Sequence, residues 1–418
     1  MPAPTSYIFY GLVEDTSDPS FENLDPEAFG YTAGQQITAH LTLTDSVAAT
    51  WITLPESGRF MGIAPDLAQV ETEFLFPQTG NLDWTQADFV SAVSLGSSDD
   101  QRPLEDFRAT LFHTSEPDGP NLFINQLEFG GVQLSNDDSL YAFVTGAWVP
   151  AGVTPNLVYG TSGEDVLRAW APLSLVWGGM GDDDIRVKRG EAFAWGGDGD
   201  DTIRGNSGDD FIWGGIGDDI LDGSAGNDFL NGEWGNDVIE GGSGDDRVDG
   251  GSGSDVIRGG AGNDVLDSGG GGIDRVFGGA GDDFIVSGTG GFDENFEFER
   301  SFSSGGSGDD IILASFDAIL SGGQGADTFV LGRLFGETGR LGGLTVTDFR
   351  PGLDRLSITA GEPGRFDTFE EIMAAGEQVG SDVVFDFFPE EIHELPLLVL
   401  EDVLMINLRP GDFLFGDF

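Results

Sequence analysis

From residue 160 to residue 267 the apolar positions of the chain fall on a fixed period of nine. One aliphatic residue recurs at the eighth place of each unit: Leu167, Val176, Ile185, Ala194, Ile203, Ile212, Leu221, Leu230, Ile239, Val248, Ile257 and Leu266. The clearest copies are GGDGDDTIR (196–204), GGIGDDILD (214–222), GGSGDDRVD (241–249) and GGAGNDVLD (259–267), with consensus G-G-x-G-x-D-x-U-x, U being aliphatic. Positions 7 to 9 predict a short strand with only position 8 turned inward, because strand side chains alternate between faces. Positions 1 to 6 predict a tight turn, with glycines at positions 1, 2 and 4 permitting positive φ. Gly/Asp-rich composition by itself suggests disorder, but disorder gives no reason to keep an aliphatic residue in register through twelve units.

The turn leaves backbone carbonyls free to face one spot, where the position-6 aspartate adds a carboxylate. Flexible, all-oxygen coordination suits calcium better than magnesium, which requires a stricter octahedron. The candidate ligands are Asp165, Asp183, Asp201, Asp210, Asp219, Asp228, Asp237, Asp246, Asp255, Asp264, Asp274, Asp283, Asp310 and Asp327. The last four belong to units that resume after the inserted Ser268: 269–277, 278–286, 305–313 and 322–330. The acidic, aromatic stretch 288–304 between them is expected to be a loop or imperfect turn.

These nonads resemble the repeats of the RTX, or haemolysin-type calcium-binding, proteins, and the resemblance extends over roughly residues 160–418. It implies a parallel β-roll in which two nonads make one turn, each loop lies over the loop 18 residues away, and Ca2+ sits between them, about ten ions in all. It also implies the nature of the C-terminal part. TVTDFRPGLDRLSIT (345–359) matches a D-F-x-P-G-x-D-x-[LI] strand pair, FEEIMAA (369–375) looks like a helix, and SDVVFDF (381–387) looks like a strand. GDFLFGDF (411–418) is similar to the acidic-aromatic tail that serves the family as a type I secretion signal. The implied partners are calcium and the type I secretion machinery. The implied location is outside a Gram-negative cell or on its surface, the chain staying unfolded in low cytosolic calcium and folding where calcium is millimolar.

Charge agrees with such a switch. Eighteen basic side chains stand against 74 acidic ones, a formal net charge of −56. That excludes nucleic acid as a natural partner and holds a metal-free roll open by self-repulsion, so that metal binding supplies folding energy. There is no cysteine, which fits a protein not built on disulfides. No apolar run approaches the roughly 18 residues of a transmembrane segment, and MPAPTSYIFYG at the N-terminus lacks the basic and apolar regions of a Sec signal peptide.

Residues 1–155 have another texture. Alternating segments at 36–44, 121–129 and 140–149, separated by Pro, Gly and Asp clusters, predict an antiparallel β-sandwich-like domain. A short helix is expected over 84–93. Trp51, Trp84, Trp148, Tyr7, Tyr10 and Tyr31 are expected in its core, with a carbohydrate site as the alternative. His40 and His113 have no partners at metal-ligand spacing. Residues 150–159 are expected to be a linker or a handover into the roll. The complete expectation is an all-β chain: 1–155 β-sandwich-like, 156–331 calcium-binding β-roll, 332–418 β-rich cap and secretion segment.

The first nonads alternate between intact (160–168, 178–186) and degenerate (169–177, 187–195), so the degenerate ones share one edge of the roll. On the sheet that follows them, Trp177, Trp195 and Trp213 recur at position 9, and Leu175, Phe193, Phe211 and Phe229 at position 7. Eighteen-residue spacing stacks these side chains into one outward aromatic panel, an interface candidate for the N-terminal domain, a second copy or a glycan. The opposite sheet carries Arg168, Arg186 and Arg204, which offset the acidic field.

Catalytic motifs are absent from the sequence. It has no H-E-x-x-H, His393–Glu394 being followed by LPLL, no G-x-S-x-G elbow and no thiol. A non-enzyme is therefore expected: a structural or self-assembling surface-layer, filament or biofilm component. The alternative is an adhesin or carbohydrate-binding module displayed on a calcium-stiffened stalk, and an RTX-tailed hydrolase ranks below both.

Overall fold

The structure is a computed structural model. It describes residues 152–288, 300–314, 318–331, 343–357, 368–385 and 398–414 in full, together with Val149 and the backbone of the strands named below. The chain divides into two compact units, Met1–Val158 and Tyr159–Phe418.

In the first unit nine strands form one antiparallel sheet, in the order Gly80–Asp83, Glu71–Phe76, Gln36–Thr42, Ser6–Val13, Ser139–Pro150, Gly131–Asn136, Leu122–Ile124, Leu111–His113, Asp88–Phe89. A hairpin, Ala49–Thr53 with Arg59–Ile63, stands apart from it. Strands lie where alternation predicted them, at Gln36–Thr42, Leu122–Ile124 and Ser139–Pro150. The helix expected over 84–93 is corrected: Asp88–Phe89 is a strand paired with Leu111–Phe112, a tertiary partner overriding local propensity. The rest of that segment, the facing of two sheets that a sandwich requires, and the side chains of the Trp, Tyr and His residues named above lie outside the described residues.

In the second unit the chain winds between a twelve-stranded and a thirteen-stranded sheet, parallel except at one end. Each strand pairs with the strand one full turn on, so Ile185 lies beside Ile203 and Ile203 beside Leu221, an offset of 18 residues. Ser268 widens the offset to 19, as at Ile257 beside Val276, and 288–304 widens it to 27, as at Ile285 beside Ile312. All twelve aliphatic residues of the ninefold column are buried, eleven of them at 0–1% exposure. Parallel pairing with one inward side chain per strand builds a core one residue wide between two sheets.

Asn156–Tyr159, at the handover into the roll, is the first strand of the twelve-stranded sheet. The end of the 288–304 stretch is a strand rather than loop, Ser301–Ser307, filling its turn of the roll with Ser303 where an aliphatic residue would stand. The buried Ser303 hydroxyl bonds Ser287 Oγ at 2.8 Å, which satisfies it. Beyond 332 both sheets continue: Leu344–Val346 and Leu398–Leu400 extend one, Arg355–Ile358 and Phe413–Leu414 the other. The helix is Phe369–Ala374, with a Thr368–Glu371 capping box. Gly376–Val379 and Asp382–Phe385 form an antiparallel hairpin that closes the thirteen-stranded sheet.

Candidate metal centre in the stacked loops

The turn geometry sorts the glycines by different physical requirements. Positions 2 and 4 take positive φ, as at Gly197 (115°) and Gly199 (130°), which a β-carbon makes costly. Position 1 does not. Gly196 is needed for space: a β-carbon there would overlap both Asp201 Oδ2 and the carbonyl oxygen of Gly214 in the next loop. The expectation of positive φ at position 1 is thereby corrected. The same overlap with the loop's own aspartate and the next loop's first carbonyl recurs at Gly178, Gly214, Gly232, Gly259 and Gly278.

The position-6 aspartates form two columns, one per edge. The first holds Asp165, Asp183, Asp201, Asp219, Asp237, Asp255 and Asp274, and the second Asp210, Asp228, Asp246, Asp264, Asp283, Asp310 and Asp327. Within a column the Oδ1 of each aspartate accepts the backbone N–H of the preceding one, from 2.7 Å (Asp165 to Asp183) to 3.2 Å (Asp310 to Asp327). The degenerate loop at the head of the second column serves as well, Ala192 N–H reaching Asp210 Oδ1 at 2.7 Å.

The other carboxylate oxygen is left alone. Oδ2 of Asp183, Asp201, Asp210, Asp219, Asp228, Asp237, Asp246, Asp255, Asp264, Asp274, Asp283 and Asp310 is buried and has no hydrogen-bond partner. Buried polar groups are nearly always satisfied, and an unpaired buried charge costs several kcal/mol. Twelve such groups outweigh the 5–15 kcal/mol that typically stabilises a domain. At neutral pH the roll therefore closes only with something positive at these oxygens. Burial accordingly pushes the carboxyls up, Asp183, Asp237, Asp274 and Asp283 to about 6, Asp201, Asp228, Asp246, Asp255 and Asp310 to about 7, and Asp210 and Asp219 to about 8.

The donor set fits calcium. It consists of one orphan carboxylate oxygen per loop beside the first carbonyl of the next loop, all hard oxygens on flexible turns. No cluster of three or more His, Cys, Asp or Glu side chains occurs among the described residues. The arrangement is thus a ladder of single carboxylates and carbonyls, unlike the carboxylate cage of an EF-hand.

The column ends differ from its middle. Asp165 Oδ2 accepts Thr161 N–H at 2.7 Å and Thr161 Oγ1 at 2.8 Å. Asp327 Oδ2 receives Arg350 Nη2 at 3.0 Å. After Asp274 the first column continues with Ser301, whose Oγ accepts Asp274 N–H at 3.1 Å.

Sequence reasoning passed over position 5. Its side chains form an outer, exposed ladder running the other way: Asp182 Oδ1 accepts from Asp200 N–H, Asp200 from Asp218, Asp218 from Asn236, and Asn236 from Ser254, at 2.8–3.0 Å. Asp209, Asn227, Asp245, Asn263, Asp282 and Asp309 do the same on the other edge. The signal was present, since position 5 is mostly Asp or Asn. Either residue accepts one hydrogen bond there, so this column needs an Asx side chain and no charge.

The aromatic panel is a stack but not a free surface. Trp177–Trp195 and Trp195–Trp213 ring centroids are 5.1 Å apart and Phe193–Phe211 4.7 Å, all nearly parallel. Trp177, Trp195, Trp213 and Phe193 are buried, and Phe211 and Phe229 half-buried. On the opposite sheet Arg186 pairs with Asp184 at 2.7 Å, and Arg204 lies 3.8 Å from Asp184 and 3.9 Å from Asp222. Arg168 stands next in that column, beside Arg186.

Residues 195–230, 231–266 and 268–291 match the family model described as RTX calcium-binding nonapeptide repeat (4 copies). No curated protein matches the chain. Among solved structures it is similar to the crystal structure of extracellular lipase LipA from Serratia marcescens, at 16% identity and a TM-score of 0.20, over 55% of this chain and 41% of that one. The chain thus spans less than half of that lipase, and a likeness at this level says nothing of activity.

Proposed function

Since residues 195–291 are RTX calcium-binding nonapeptide repeats, we propose that the chain is an extracellular structural protein whose roll folds on calcium. It would serve as a rigid component of a cell surface or matrix. The observation that carries this reading is the line of twelve buried carboxylate oxygens without partners. Millimolar calcium outside a cell neutralises them, and cytosolic calcium does not. In the loaded roll the position-6 carboxylates and position-1 carbonyls hold the ions, and the ions supply the positive charge that lets the stack close.

A non-catalytic role is supported by the lack of H-E-x-x-H, G-x-S-x-G and thiol motifs in the sequence. Export is supported by the family habit that the resemblance implies. No helix among the described residues is long and apolar enough to cross a membrane. The test is a calcium titration of the purified protein, with magnesium as control, followed by circular dichroism and light scattering. Cooperative gain of β-structure with calcium alone, with scattering rising in step, supports a calcium-built assembling scaffold. A compact monomer in calcium removes self-assembly from the proposal, and a roll already folded in chelator at neutral pH removes the calcium switch.

A further inference from the structure

The second aspartate column does not end at Asp327. Asp354 takes the next place: its Oδ1 accepts Asp327 N–H at 3.2 Å, and Arg355 N–H reaches Asp327 O at 2.8 Å, the same pair of bonds that links the earlier aspartates of this column. Counting back from Asp354 as position 6, residues 349–357 (FRPGLDRLS) are a hidden nonad. Gly352 at position 4 keeps its positive φ of 84°, and Leu356 at position 8 is fully buried beside Phe329. The departures are Phe349 at position 1, Pro351 at position 3 and Arg350 at position 2.

Arg350 reaches into the gap between this loop and the last recognised one. Its Nη2 lies 3.0 Å from Asp327 Oδ2 and 3.0 Å from Asp354 Oδ1, and it also bonds Gly325 O. Its Nε and backbone N–H hold Asp354 Oδ2, at 3.2 and 2.7 Å. Asp327 and Asp354 are 0% and 1% exposed at their side chains. The neighbouring Asp348 braces the same loop, accepting Gly322 N–H at 2.9 Å and Gly323 N–H at 2.8 Å. In this pair of loops the oxygens that stand unpartnered in every earlier pair of the second column meet a guanidinium. Asp327 Oδ2 and Asp354 Oδ2 are absent from the orphaned set for that reason.

We propose that the Arg350 guanidinium occupies the final cation position of the column, so that nonad 349–357 is a metal-free terminal repeat carrying its own counter-charge. This rests on the calcium reading of the preceding loops and extends it to where loading stops. A planar, permanently charged group with several donors can satisfy two carboxylates and a carbonyl at once. A second metal ion in the same gap would meet a fixed positive charge within contact distance, so the gap excludes calcium. The last turn is thereby held at any calcium concentration that folds the rest.

The test counts bound ions by native mass spectrometry on the full-length protein in calcium, for wild type, Arg350→Gln, Arg350→Lys and Arg350→Gln/Asp354→Asn. Arg350→Gln frees the Asp327 and Asp354 carboxylates and should bind one calcium more per chain than wild type. The double variant and Arg350→Lys should stay at the wild-type count. An unchanged count in a folded Arg350→Gln, or a gained ion in Arg350→Lys, overturns the proposal. So does an Arg350→Gln that stays unfolded in 20 mM calcium while Arg350→Lys folds, because calcium should then replace the guanidinium. If wild type itself binds no calcium, the calcium reading fails; if wild type loads and Arg350→Gln adds none, only the role of Arg350 fails.

Discussion

Replacing Asp237 by asparagine changes one oxygen for one amide group in the middle of the first column. Asp237 is fully buried, its Oδ1 accepts Asp219 N–H at 2.8 Å, and its Oδ2 is one of the orphans. Asparagine keeps the Oδ1 bond, so the loop's protein–protein contacts survive. What it loses is the negative oxygen, and with it one cation position. At calcium a hundredfold above the site's Kd, an ion bound only by the folded state contributes about 2.7 kcal/mol. For a unit of this size that corresponds to a Tm lower by roughly 5–10 °C at fixed calcium. The calcium midpoint moves less, by under about twofold, because the remaining positions share the folding free energy. The control is Asp245→Asn, one column outward and on the other edge. Asp245 is exposed and its Oδ1 accepts Asn263 N–H at 2.8 Å. Asparagine already stands in that column at 227 and 263, so the expected change is within about 0.5 kcal/mol. Scanning calorimetry in 5 mM calcium measures both. Equal losses for the two variants would refute the argument, since they would show that the inner column, like the outer, needs only a hydrogen-bond acceptor.

Three further outcomes follow from the same geometry. In chelator, acid should favour the roll: burial raises the carboxyls to about 6–8, above the unfolded value near 4, so the folded state binds more protons across that window and loses stability as pH rises through it. Circular dichroism from pH 8 down to 4.5 without calcium should therefore show β-structure growing, and a flat or opposite trend contradicts the burial argument. Leu230→Ala, in the one-residue-wide core, should cost about 2–5 kcal/mol in calcium by denaturant titration. Gly196→Ala should raise the calcium midpoint clearly, because the new methyl meets Asp201 Oδ2 and Gly214 O. Gly163→Ala, with nothing within 4 Å, should leave it unchanged.

The period of nine, the inward column at position 8 and the candidate carboxylates were readable from residue order because each depends on its own unit. A short strand with one aliphatic residue and a Gly-rich turn has the same preferences whatever lies above it. The hidden nonad 349–357 was partly readable too: the G-x-D spacing of Gly352 and Asp354 and the aliphatic Leu356 fit the frame, but Phe349, Arg350 and Pro351 disguise it. Position 5, mostly Asp or Asn, carries a signal of the same local kind.

Other features depend on the neighbour one turn away, and only the stacked structure decides them. Position-1 glycine is set by the carbonyl of the next loop rather than by its own φ. An aspartate with one satisfied and one orphaned oxygen exists only when two loops are in register. Arg350 has a role only once Asp327 and Asp354, 27 residues apart, face each other. The strands at Asn156–Tyr159 and Ser301–Ser307 likewise exist because a sheet edge is there to pair with. Local chemistry determined the repeat and the identity of its candidate ligand atoms as oxygens; the offset between turns determined which of those oxygens need a cation, since that need arises from burial against another loop.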